Sequence, residues 1–70
     1  MGKVISTMAG NVWKVLVKPG DQVIEGQEVV ILESMKMEIP IVAESSGNVK
    51  EVMAEEGSFV DESEVLIELE

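Results

Sequence analysis

Apolar residues in this chain fall in short runs that alternate with polar ones or cluster for four to seven positions, and Val and Ile dominate them. That pattern predicts strands rather than helices. Lys3–Ser6 opens the chain as a first strand. Asn11–Val17 follows, with Val at 12, 15 and 17, and stops at Lys18-Pro19-Gly20-Asp21, strong turn chemistry. A short strand around Val23, a turn at Gly26 and a long apolar strand Glu28–Glu33 come next. Met37–Ala43, Asn48–Met53, Phe59-Val60 and Val65–Leu69 complete about eight strands, with turns at Glu55-Glu56-Gly57 and near Ser63. The spacing is that of an all-β sandwich or barrel.

The pattern repeats. Shifting the sequence by 37 positions lays Gly10–Glu33 over Gly47–Glu70 without a gap. Gly10-Asn11-Val12 falls on Gly47-Asn48-Val49, Gly20 on Gly57, Val23 on Val60 and Leu32-Glu33 on Leu69-Glu70. Two copies are too few for a solenoid, so the chain reads as one domain over 1–70 in which each half (10–33 and 47–70) covers the other's apolar face. Gly10, Gly20, Gly47 and Gly57, in register across the repeat, are expected at positive φ or tight bends. Ser63 stands where the repeat would place glycine. Pro40, inside a strand, implies an edge position.

The residues around Met35-Lys36 mirror each other: Glu33 faces Glu38, Leu32 Ile39, Val30 Ile41 and Val29 Val42. This predicts a β-hairpin whose two-residue tip favours Asn-Gly, because both central positions need positive φ. Met and Lys there cost about 1–2 kcal/mol each. Opposed glutamates add repulsion. The alternative is a helix, for which Glu-Ser-Met-Lys-Met-Glu is good sequence, with Lys36 an ordinary solvated lysine. Against it stand Pro40 and the β-branched runs on both sides. A tip built against its own turn chemistry points to residues chosen for something other than folding.

Seventy residues lie near the lower limit for a domain that folds alone. The chain has no Cys and no His, which excludes Cys- or His-based nucleophilic catalysis, argues against a zinc site and leaves no metal or catalytic residue to assign. Trp13 and Phe59, the only aromatics, are expected as core or half-buried packing. A net charge of −9 disfavours nucleic acid and anionic membranes as partners and suits a basic protein surface. No apolar run approaches a membrane span, and the absence of cysteine suits a cytoplasmic protein. Met1-Gly2-Lys3-Val4-Ile5-Ser6 formally matches an N-myristoylation pattern, but Val4 and Ile5 read better as strand.

Glu33-Ser34-Met35-Lys36-Met37 at a hairpin tip, Gly-Asp-x-Val-x-x-Gly-Gln at Gly20–Gln27 before it, a second Gly-x-x-Val behind and two quasi-symmetric halves resemble the biotinyl/lipoyl-attachment domain family. The likeness covers essentially the whole chain. It implies a flattened barrel-sandwich hybrid of two four-stranded antiparallel sheets and a carrier rather than an enzyme. Lys36 would be the point of covalent biotin attachment, flanked by Met35 and Met37, with Glu33, Ser34 and Glu38 available for recognition. The implied partners are a biotin–protein ligase and the biotin carboxylase and carboxyltransferase components of a biotin-dependent carboxylase, served by a monomeric carrier of a carboxyl group. Lipoate, alone or beside biotin, is the alternative cofactor, although lipoyl relatives typically carry Asp-Lys-Ala at the tip. An unmodified adaptor of the same fold is a further alternative. Ser34 for the commoner Ala leans slightly away from biotin, and Asn11–Val23 is too short for the protruding thumb of one carboxylase subtype.

An ordinary lysine amine, with a pKa of about 10.4, is only about one part in a thousand neutral near pH 7. With no histidine in the chain, a ligase would have to supply the base. The carrier's task is presentation of the amine, with flanking methionines soft enough to fit several partner pockets.

Overall fold

The computed structural model describes residues 2–70, so Met1, and with it the start of the acylation pattern, lies outside them. Eight strands follow in order: β1 (Gly2–Ile5), β2 (Gly10–Val15), β3 (Gln22–Val23), β4 (Glu28–Ser34), β5 (Met37–Val42), β6 (Gly47–Val52), β7 (Phe59–Val60) and β8 (Val65–Leu69). They form two four-stranded antiparallel sheets, ordered β1-β8-β6-β3 and β5-β4-β2-β7, in a body of 32 × 19 × 18 Å. The expected fold class is the observed one. Pro40 sits in β5, an edge strand, where its missing N–H costs no ladder bond on the open side.

The sequence shift of 37 positions is a structural twofold. It carries β2, β3 and β4 onto β6, β7 and β8, β1 onto the second part of β5, and one sheet order onto the other. The short strands cross over: β3 pairs with β6, and β7 with β2. Loop hydrogen bonds between the halves come in matched pairs. Gly20 N–H donates to the Val49 carbonyl (2.9 Å) and Gly57 N–H to the Val12 carbonyl (2.8 Å). Val49 N–H donates to the Asp21 carbonyl and Val12 N–H to the Ser58 carbonyl, both at 2.7 Å.

The core obeys the same symmetry. Its apolar residues pair as Val4/Ile41, Val12/Val49, Val17/Ala54, Val23/Val60, Val29/Leu66, Val30/Ile67 and Leu32/Leu69. Ala43 is matched by Ser6, the one buried polar side chain among the described residues, whose hydroxyl donates to the Met8 carbonyl. An all-aliphatic core of small residues lets the two sheets close on each other with no aromatic between them.

Three expectations need correction. Val42 lies opposite Glu28, not Val29, because a bulge falls between Glu28 and Val30. Val29 and Val30 are both fully buried, and a regular pleat cannot aim two consecutive side chains inward, so the bulge turns the extra one. Trp13 and Phe59 are outside the core, 41% and 60% exposed. Alternation explains Phe59, which precedes buried Val60; Trp13 follows buried Val12 at a second bulge, with the Lys14 ammonium 5.2 Å from its ring centroid. Gly10 and Gly47 begin strands and are not positive-φ turns, whereas Gly20 (φ 94°) and Gly57 (φ 91°) are.

Gly26 (φ 88°) and its twofold mate Ser63 (φ 71°) make the same turn with different residues. Ser63→Gly should therefore stabilise by about 0.5–1 kcal/mol, the left-handed strain removed less the entropy added to the unfolded chain. A Cβ on Gly57 would meet nothing within 4 Å, so Gly57→Ala isolates the backbone cost and should destabilise by about 1 kcal/mol. Thermal melts read both; shifts of the same sign would contradict the turn assignments.

Candidate functional site at the β4–β5 tip

The two longest runs of cross-strand pairing in the sheet β5-β4-β2-β7 converge on one turn. Leu32 opposes Ile39, Glu33 opposes Glu38 and Ser34 opposes Met37. Leu32 is fully buried and Ile39 packs on the core, which fixes the register up to the last pair. Met35 (φ 51°) and Lys36 (φ 65°) then both take the left-handed conformation of a tight hairpin turn. With Ser63 they are the only non-glycine residues at positive φ among those described. The strain expected at this tip is present, and the buried pairs below hold it in place.

The side chains expected here are together and outward. Met35 is 90% exposed and Met37 62%. Lys36, Glu33 and Glu38 are exposed, and Ser34 is half-buried. The one salt bridge among the described residues, Lys50 to Glu68 at 3.7 Å, is elsewhere, so the Lys36 amine and the two carboxylates are unengaged by ion pairs. The other lysines are on strands or in the β2–β3 turn: Lys3 and Lys50 in β1 and β6, Lys14 beside Trp13, and Lys18, whose N–H donates to the Asp21 carboxylate.

Two further elements reach the tip. Gly10 starts β2 directly beneath the end of β4; a Cβ there would lie 3.2 Å from the Glu33 carbonyl and 3.4 Å from Ser34 Cβ. A side chain there would push the end of β4 away by a few tenths of an ångström, so glycine lets β2 close under the hairpin without a shift. Asn11 opposes both Glu33 in β4 and Phe59 in β7. An open depression of about 530 Å³ results, lined by Ala9, Gly10, Asn11, Glu33, Ser34, Met35, Lys36 and Phe59. The sequence alone did not single out Asn11 or Phe59 as site residues; strict alternation before Val60 was the available signal that Phe59 faces out.

Fold and site together define a small all-β domain that presents one lysine on a strained, rigid tip. A family model described as "Biotin-requiring enzyme" matches residues 1–69. The chain is 71% identical over 62 residues to the "Biotin/lipoyl attachment protein" of Bacillus subtilis, covering 89% of this chain and 85% of that one. It is 48% identical over 65 residues to the mitochondrial propionyl-CoA carboxylase alpha chain of Homo sapiens, covering 93% of this chain but only 9% of that far longer relative. Among solved structures, the urea carboxylase of Kluyveromyces lactis superposes with a TM-score of 0.90 at 29% identity, over 99% of this chain and 6% of that one. The lipoyl domain of the 2-oxoglutarate dehydrogenase complex from Azotobacter vinelandii superposes with a TM-score of 0.76 at 28% identity, over 99% and 96%. The chain belongs to the biotin/lipoyl attachment domain family. It is homologous to the carrier domains of biotin-dependent carboxylases, a family that holds biotin or lipoate covalently.

If the tip is strained as its dihedrals indicate, the double substitution Met35→Asn/Lys36→Gly should stabilise the fold by about 1–2 kcal/mol, since Asn-Gly suits this turn. That raises the melting temperature by about 4–8 °C per kcal/mol for a domain of this size. A lowered melt would contradict the account.

Proposed function

We propose that the chain is a biotin carrier and that Lys36 is the residue biotinylated by a biotin–protein ligase. The observation that carries the proposal is the conformation of Met35-Lys36: the fold bears backbone strain to project this one amine, flanked by two exposed thioethers, beyond the end of the sheet. The residues fit the group. The Lys36 amine is exposed and unengaged by ion pairs, on a four-carbon stem, so it could attack the cofactor's carboxyl carbon, activated as an acyl-adenylate in the ligase, forming the amide as AMP leaves and a ligase base takes the amine's proton, with no rearrangement of the domain. Biotin held on Lys36 would supply the site that takes up and gives up a carboxyl group. The chain's own part is mechanical: the buried Leu32 and the packed Ile39 keep the base of the tip rigid, while Met35 and Met37 adapt to successive partner pockets. Ser34 and the unpaired Glu33 and Glu38 offer polar recognition beside the amine, the carboxylates favouring a basic ligase face. No catalytic residue is assigned to the chain itself, and the carboxylase relatives support biotin carboxylase and carboxyltransferase components as its working partners. We place the carrier in the cytoplasm as a monomer.

A second reading, lipoate on the same lysine, has its own support in the lipoyl-domain superposition and in the dual description of the Bacillus subtilis relative. Met-Lys-Met in place of Asp-Lys-Ala favours biotin.

Lys36→Arg tests the site. Arginine keeps the charge and reach, but its guanidinium stays protonated and does not acylate. Co-expression with a biotin–protein ligase should give a single biotin adduct by intact mass on the wild type and none on the variant, with unchanged melting. Co-expression with a lipoate ligase separates the second reading by the mass of the adduct. A surviving biotin adduct on the Lys36→Arg protein would place attachment elsewhere.

A further inference from the structure

One line of residues crosses the whole sheet beside the tip. Glu38 in β5 opposes Glu33 in β4, Glu33 opposes Asn11 in β2, and Asn11 opposes Phe59 in β7. Directly opposed residues project from the same face, and all four are exposed, so the line is a continuous outward row. At roughly 4.8 Å between strands it is about 14 Å long. One end carries two carboxylates without an ion-pair partner and the other a phenyl ring that is 60% exposed. Lys36 and Phe59 line the same depression, so the row flanks the path to the amine.

We infer that this row, with Phe59 as its apolar anchor, is the docking footprint of the enzyme that acylates Lys36. The inference rests on Lys36 being the attachment residue. An active site that closes on the Lys36 amine must cover the ground around the tip, and the row is the chemically distinctive part of that ground. Its charge selects a partner surface with cationic groups over Glu33 and Glu38, and an apolar recess for Phe59 about 10 Å from the first and about 14 Å from the second. Half of the row comes from strands outside the hairpin, and Phe59 comes from the other half of the chain. Recognition on this footprint therefore requires the folded domain: a linear peptide with Glu33–Glu38 lacks Phe59 and Asn11.

The test is steady-state biotinylation of the whole domain by a biotin–protein ligase. Phe59→Ser should raise KM about tenfold or more with kcat within about twofold, since a buried aromatic anchor carries that much binding. Phe59→Leu, which keeps an apolar anchor, should recover most of the loss. Trp13→Ser is the control: Trp13 is the other exposed aromatic of the same sheet but sits at a bulge off the row, so its loss should leave KM unchanged. Acylation of each variant by a small amine-reactive ester should match the wild type, showing that the amine itself is unaltered. Should the serine variant melt early, Asn11→Lys carries the test, since a cation placed beside Glu33 opposes a basic partner and should also raise KM. Unchanged KM in the folded Phe59→Ser protein, or in Asn11→Lys where serine unfolds the domain, overturns the inference, as does an equal rise in Trp13→Ser. Wild-type protein that accepts no biotin at Lys36 fails the attachment proposal instead, a distinct result.

Discussion

Neither half of this chain can bury its own apolar face. Each repeat supplies two neighbouring strands of one sheet and sends its short strand into the other, β3 to β6 and β7 to β2, while β1 and β5 add the outer strands. The exchange is what closes an aliphatic core in 70 residues without cysteine. Val23 and Val60, fully and almost fully buried, are the pegs of this exchange. Because the crossing strands are only two residues long, the loop bonds that frame them matter more than their ladders. The carbonyls of Val12 and Val49 take the N–H groups of Gly57 and Gly20, and the glycines reach them only through positive φ.

The β4–β5 tip depends on that closure. Backbone in the left-handed region persists where surrounding structure over-determines it. Here the determinants are the buried Leu32 and the packed Ile39 beneath the turn, and Gly10, which admits β2 under the end of β4. Two adjacent strained residues on a stem this well fixed give the lysine a defined direction of approach. A looser loop would present the same amine over a wide cone and lose much of the benefit of orientation.

Much of this was legible in the sequence. The hairpin was readable because its mirror pattern and Pro40 leave one register that buries Val30, Leu32 and Ile41 together. The repeat was readable because the core positions of 10–33 recur in 47–70, from Val12 against Val49 to Leu32 against Leu69, while the match of Ser6 to Ala43 lies outside that overlay and emerges only in the folded chain. What was not legible depends on contacts between halves. The bulge at Val29 follows from two consecutive buried valines, and their burial is set by the opposite sheet. Phe59 read as core or half-buried packing because large apolar residues in a small chain usually are; alternation with Val60 turns it outward, and its pairing with Asn11 sets it next to the tip. Gly10 carried a glycine's usual suggestion of a turn, whereas its role is to be small beneath a neighbouring backbone.

The twofold leaves one position unlike its mate. Where β4 turns into β5 through Met35-Lys36, the equivalent strands β8 and β1 are not joined, and the pair Gly2–Leu69 marks the seam. Symmetry thus sets the Met35-Lys36 turn against the β1–β8 seam. The seam and the turn also lie in different sheets, so a disturbance of the β1–β8 ladder must cross the aliphatic core before it reaches β4 and β5.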